Sequence, residues 1–189
     1  MRLVLLGPPG AGKGTQAKQL AHRLEVPAIS TGDIFRSNVA DGTELGLAAQ
    51  QYLDSGEYVP DEVTTAMVGD RLAAEDARDG FLLDGYPRTA EQVSSLDGIL
   101  SGTGAMLDRV VELSVARETL ISRLAHRAEV EQRSDDTVAV IAHRMDVYLA
   151  QTAPLVDTYT RRGILVTVDG VGEVDVVTDR MLAALTGQL

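Results

Sequence analysis

The sequence predicts an α/β fold: a parallel sheet with helices on both faces and a ligand site at the carboxyl ends of the strands. Three observations carry that expectation. Short apolar runs alternate with longer amphipathic stretches along the whole chain, the pattern of strand–helix–strand crossovers. The first run, residues 2–6, leads straight into GPPGAGKGT at 7–15 and then into a helix-forming stretch. A later run, Gly80 to Leu83, ends on an acid, Asp84.

In order, residues 2–6 read as a buried strand, and a helix runs from about Gly14 to Leu24. Val26 to Ile29 form a brief second strand. Ser30-Thr31-Gly32-Asp33 carries helix-capping residues and starts a helix through Arg36. Residues 30–59 break at Asp41-Gly42 and Ser55-Gly56, too small a piece to fold alone and therefore an insert on the core. Asp61 is expected to cap a helix reaching about Ala77. The strand at 80–84 is followed by a helix opened by Thr89. Arg109 to Leu113 is the next strand and residues 116–126 the next helix. RAEVEQRSDD at 127–136 is almost wholly polar and reads as an exposed loop. One long helix is expected from Thr137 to about Arg161, kinked near Pro154. Ile164 to Val168 and Glu173 to Leu185 give the last strand and helix.

At 189 residues the chain suffices for one core with inserts. Aromatics are only 4%, so that core must be aliphatic. The opening apolar run is too short for a signal peptide or a membrane span. With no cysteine there are no disulfides, no thiolate zinc sites and no cysteine nucleophile, which fits a cytoplasmic home. A net charge of −11 argues against nucleic acid or an anionic membrane as partner, since both call for a basic face. Of the 17 cations only Lys13 and Lys18 are lysine. The arginines matter by position, because the planar fork suits phosphate oxygens.

The segment 7–15 fits the spacing G-x-x-x-x-G-K, with the hydroxyl displaced one place past Gly14 to Thr15. Glycines let consecutive N–H groups turn around an anion, and the helix behind adds its positive end. Lys13 brings a mobile charge to the outer phosphates, and Thr15 can donate to phosphate or approach a metal. Asp84, at the end of an apolar strand, is placed as a rigid carboxylate near that metal and can act through water. As a strand-end acid it could equally cap the turn into Gly85. Asp33 is open in the same way, a helix cap or a neighbour of the metal's water shell. His22, His126 and His143 show no ligand spacing and read as surface helix residues. Met67, Met145 and Met181 read as core filler.

The stretches GPPGAGKGTQ at 7–16, STGDIFR at 30–36, GEYVPDE at 56–62 and LLDGYPRTAEQ at 82–92 together resemble an adenylate kinase, a nucleoside monophosphate kinase of the P-loop class. A carboxyl-side series continues the likeness in order: Arg123, Arg127, RSDD at 133–136, Arg144, TAPL at 152–155 and VDGVGEV at 168–174. The resemblance implies a three-layer P-loop fold, with a five-stranded parallel sheet, a helical monophosphate-binding flap at 30–59 and a short lid at 126–136. It implies reversible phosphoryl transfer between ATP and AMP, giving two ADP, with Mg²⁺, no zinc, and a monomer. Gly10, Ala11, Gly12, Lys13, Gly14 and Thr15 would bind ATP, with Arg123 stacked on its adenine, Arg127 at the lid, and Gly172 against the base. On the AMP side stand Thr31, Arg36, the backbone of Glu57, Tyr58 and Val59, then Gly85, Tyr86, Pro87 and Arg88, with Gln92 reading the adenine edge. Lys13, Asp84, Arg88, Arg133 and Arg144 form the catalytic set, with Arg133 and Arg144 also contacting the AMP side. Asp135 and Asp136 would steer lid arginines or cap the helix that follows them.

The charge count agrees with that reading. In-line phosphoryl transfer leaves the protein mostly positioning and charge neutralisation. Lys13 and Mg²⁺ cannot cover two nucleotides alone, and Arg36, Arg88, Arg127, Arg133 and Arg144 would supply the rest. Only AEVEQ separates Arg127 from Arg133, whereas many bacterial members carry a much longer lid, some with zinc. A smaller lid movement is therefore expected. UMP or CMP kinases share the chemistry, but Thr31 and Gln92 favour AMP. A non-catalytic nucleotide sensor should have lost part of the Lys13, Arg88, Arg133, Arg144 set. A GTPase switch would need an N-K-x-D motif that a chain with lysine only at 13 and 18 cannot provide.

Overall fold

The computed structural model describes residues 1–131 and 137–187. Its centre is a five-stranded, all-parallel sheet in the order β2-β3-β1-β4-β5. The strands are β1 (Arg2–Leu6), β2 (Ala28–Ser30), β3 (Phe81–Asp84), β4 (Arg109–Ser114) and β5 (Leu165–Asp169). The first strand in sequence is the middle strand in space, so the loop after β1 opens where neighbours on either side diverge, the usual place for a ligand crevice.

Alternation along the central strand builds two cores from one run. Leu3 and Leu5 point to one face, with Ala17, Leu20 and Ala21 of α1 (Lys13–Leu24) and Val177 and Met181 of α9 (Val174–Thr186). Val4 and Leu6 point to the other, against Val68 of α4 (Asp61–Leu72), Leu96 and Leu100 of α5 (Ala90–Ser101) and Tyr159 of α8 (Leu155–Arg161). Period-two geometry puts successive side chains on opposite faces, and parallel strands buried on both sides read as unbroken apolar runs. Met181 is fully buried, and Met67 and Met145 pack at the core margins, as core filler should.

Helices α2 (Thr31–Asp41) and α3 (Glu44–Ser55) stand off the sheet with a small core of their own, Phe35, Ala49 and Val59. Their ends follow local chemistry. Ser30 accepts from the Asp33 N–H at 3.3 Å, and Thr43 caps α3 through the Gly46 N–H at 3.0 Å. Gly42 and Gly56 end the two helices in the left-handed conformation.

Three expectations are corrected. Asp61 does not cap its helix: Pro60 holds the cap position, α4 stops at Leu72, and a separate 3₁₀ turn covers Glu75–Ala77. The carboxylate of Asp61 instead accepts from the Thr89 hydroxyl and, at 2.6 Å, from the Gln92 amide. Helix α6 runs from Arg117 to Glu131, so residues 127–131 are helical and Arg127 is carried on a helix, not a loop. Polar composition alone does not stop a helix whose residues are mostly good helix formers. The long carboxyl-side helix is α7 (Val138–Val147), a π-turn at Tyr148–Thr152, and α8. The interruption falls near Pro154 as expected: the wide turn, where the Ala153 N–H donates to the Tyr148 carbonyl at 2.9 Å, leads into Ala153 and Pro154, which are turn residues ahead of α8. Thr137 caps α7 through the Val140 N–H. Arg133, Asp135 and Asp136 lie outside the described residues.

Candidate active site

A cleft of about 700 Å³ opens at the carboxyl ends of β1 and β3, within the roughly 300–1,000 Å³ span of small-molecule sites. Its floor is the loop at 7–15. Gly10 holds a left-handed φ of +83°, and a Cβ there would lie 2.9 Å from Leu124 Cγ and 3.0 Å from the Leu120 carbonyl. Only glycine lets the loop tuck against α6. Gly12 occupies the N-cap of α1 at φ 91°, and no side chain caps that end. The first-turn N–H groups, with Gly12, Lys13, Gly14 and Thr15 all on the cleft wall, are thus available to an anion.

Lys13 folds over the loop, its Nζ donating to the Gly7 carbonyl at 2.7 Å and the Pro8 carbonyl at 3.0 Å. Burial pushes its ammonium down to about 8. The Asp84 carboxylate opposes that fall, while Arg88, Arg144 and Arg127 add to it. A lysine pressed by three guanidinium groups marks a place where positive charge converges in an acidic protein. Asp84 itself is 8% exposed.

Arg36, Arg88, Arg123, Arg127 and Arg144 all face this cleft, with Asp84, Gly85 and Gly172. Arg36 is held at 2.6 Å by Asp33, one turn before it on α2. Arg88 donates from Nε to the Gly85 carbonyl at 2.8 Å, and its guanidinium lies over the Tyr58 ring at 4.7 Å. Arg123 spans two loops, donating to the Ala11 carbonyl at 3.3 Å and the Gly170 carbonyl at 3.0 Å. Donation of that kind runs in the guanidinium plane and leaves its flat faces for stacking.

Comparison with known proteins decides what such a cleft belongs to. The family model described as adenylate kinase matches residues 5–164. Proteins named adenylate kinase align over nearly the whole chain. One from a Nocardioides species is 58% identical over 98% of this chain and 97% of the relative. One from Thermobifida fusca is 57% identical over 98% of both. A third, from Kocuria rhizophila, is 58% identical over 97% of this chain and 98% of the relative. The chain belongs to the adenylate kinase family. It is accordingly a phosphotransferase, a nucleoside monophosphate kinase built on the α/β P-loop sheet described above.

Not every residue expected at an adenylate kinase site reaches the open cleft. Thr31 is 2% exposed beneath Gly85, its hydroxyl donating to the Gly85 carbonyl at 3.0 Å. Gln92 is 1% exposed with both ends of its amide engaged: Oε1 accepts from the Arg88 N–H at 2.7 Å, and Nε2 donates to Asp61. Tyr86 is fully buried, its hydroxyl meeting the Gln92 carbonyl at 3.2 Å and Thr65 at 3.0 Å. The Tyr86–Pro87 peptide is cis. Tyr58 and Pro87 line a second hollow of about 50 Å³, which Lys13, Arg88 and Arg144 share with the cleft. Val59 is buried in the core of the α2–α3 unit. Glu57 meets His143 at 2.6 Å, a partner the sequence did not suggest. His126 stands at the cleft wall as well as at the surface. Asp61 was missed as an anchor because its partners lie 28 and 31 residues away, with no periodicity linking them.

Proposed function

We propose that this adenylate kinase reversibly transfers the γ-phosphoryl group of ATP to AMP, yielding two ADP. The observation that carries this reading is the gathering of Lys13, Arg36, Arg88, Arg123, Arg127 and Arg144 around one cleft beside Asp84. ATP is assigned to the loop at 10–15, with Arg123 and Gly172 at its base and Arg127 over its phosphates, while Arg144 is assigned to the transferring phosphate and the AMP side. AMP is assigned to the flap side, between residues 30–59 and 85–88, with its phosphate on Arg36 and Arg88. Resemblance alone adds Arg133 to the clamp and a lid at 126–136. Gln92 keeps a second amide N–H and a second oxygen lone pair beyond its bonds to Asp61 and Arg88, and these are assigned to the adenine edge. Thr31 supports the AMP side from below, through the Gly85 carbonyl.

The attacking oxygen of AMP is already anionic, so the protein has no proton to remove. Its work is to hold donor and acceptor in line and to neutralise charge. The donor set fits Mg²⁺. Among the described residues no group of three or more carboxylates or histidines gathers into a cage. The Asp84 carboxylate instead stands near Gly14, with Asp33 and Thr15 also on the cleft wall, and suits an ion held largely by phosphate oxygens and water. When bound, the ion neutralises charge on the transferring phosphates.

We also propose that the enzyme acts as a cytoplasmic monomer. No helix among the described residues is long and apolar enough to cross a membrane. ADP formation from ATP with AMP, UMP, CMP or GMP, with and without Mg²⁺, tests the reading. Turnover with AMP that Mg²⁺ removal abolishes is expected. A pyrimidine preference would overturn the assigned acceptor, and ATP binding without any turnover would make the protein a nucleotide sensor.

A further inference from the structure

We infer that Tyr58 and Thr152 are positioning residues for Arg88, a relay that fixes the guanidinium assigned above to the acceptor phosphate. The inference rests on that assignment. The Thr152 hydroxyl, 5% exposed, donates to the Arg88 carbonyl at 2.9 Å. A carbonyl can only accept and a threonine hydroxyl has one proton, so that bond uses it. The 2.8 Å contact between Tyr58 Oη and Thr152 Oγ1 therefore runs from tyrosine to threonine. The same Tyr58 presents its ring to the Arg88 guanidinium, 4.7 Å from the centroid. Thr152 thus holds Arg88 twice, at the backbone directly and at the side chain through the tyrosine platform.

The remaining bonds of Arg88 make this constraint effective. Its N–H is held by Gln92 and its Nε by the Gly85 carbonyl at 2.8 Å. With Nε committed and one face of the guanidinium against the Tyr58 ring, the Nη pair is what is left for a phosphate, the bidentate edge that phosphate recognition uses. The relay joins three distant pieces of chain, 94 residues separating Tyr58 from Thr152 and 64 separating Thr152 from Arg88. Thr152 reaches inward because it ends the π-turn at Tyr148–Thr152, and such wide turns recur at functional sites. That turn directly follows α7, which carries Arg144. A valine has almost the same shape and would fill the space equally well, so packing alone does not account for the hydroxyl.

Steady-state kinetics on the full chain test the relay with Y58F, T152V, T152S and R88K. Losing one hydrogen bond predicts a KM for AMP raised about three- to tenfold in Y58F and T152V, with the KM for ATP unchanged. T152S, which keeps the hydroxyl, should behave like the parent, and Y58F/T152V should be no worse than T152V alone. Equal changes in both KM values that track a lower unfolding midpoint would overturn the inference, as would a T152S as impaired as T152V. If T152V does not fold, Y58F keeps the ring and shape and decides with T152S. Normal AMP kinetics in R88K would mean that the assignment of Arg88 itself is wrong. Impaired R88K beside normal Y58F and T152V would leave that assignment standing and remove the relay.

Discussion

Replacing Gly85 by alanine isolates how the turn after β3 holds the two sides of the cleft together. Gly85 has φ +84°, and a Cβ there would sit 2.5 Å from Thr31 Oγ1 and 3.0 Å from Arg88 Nη2. Left-handed backbone costs alanine roughly 1–2 kcal/mol. Thr31 is buried, so relieving the clash breaks its bond to the Gly85 carbonyl, about 1 kcal/mol more. A less flexible unfolded chain returns roughly 0.4–1 kcal/mol. The net expectation is a loss of about 2 kcal/mol, read by urea unfolding. Gly42→Ala supplies the control, because Gly42 also has positive φ (+66°) but nothing lies within 4 Å of its added Cβ. It should show the backbone cost alone. Displacing Arg88 should also lower kcat/KM for AMP by about 10- to 100-fold, with a much smaller effect on KM for ATP. A Gly85→Ala protein no less stable than Gly42→Ala, with parental AMP kinetics, would refute the claim that Thr31, Gly85 and Arg88 are packed as one unit.

Lys13 makes stability depend on pH in the alkaline range. Below about pH 8 both folded and unfolded chains hold its proton and the folded state bears the whole penalty of the buried charge. Between about 8 and the ordinary lysine value only the unfolded chain keeps the proton. The Lys13 contribution therefore rises with pH there, by up to about 1.4 kcal/mol per unit, and urea midpoints of Lys13→Met should lack that rise. Over the same window kcat/KM for ATP should fall as the free enzyme loses its charge, and a flat profile would contradict the burial of Lys13. Asp61→Ala strips the acceptor from the Gln92 amide and the Thr89 hydroxyl, and about 2 kcal/mol should be lost in chemical unfolding. Arg123→Met removes the bridge between the Ala11 and Gly170 carbonyls. It should raise KM for ATP severalfold while leaving KM for AMP unchanged, and equal effects on the two would argue against Arg123 serving the ATP side.

The parallel sheet, the loop at 7–15 and the strand-end Asp84 were legible in the sequence because each depends on neighbours in the chain. Alternation sorts Leu3 and Leu5 from Val4 and Leu6, glycine spacing shapes an anion-binding turn, and capping residues such as Ser30 and Thr89 act within a few positions of themselves. Family likeness extended this to the cleft arginines, which no local pattern separates from surface arginines. The tertiary structure alone decided which groups meet across long separations. It put Asp61 on Gln92, Glu57 on His143, Tyr58 on Thr152 and Arg123 between two loops. It also decided that α6 continues through Arg127 and that the carboxyl-side helix widens at Tyr148. The physical reason is range. A hydrogen bond between residues dozens of positions apart leaves no period in the sequence, because its geometry exists only after the sheet has brought their strands and helices together.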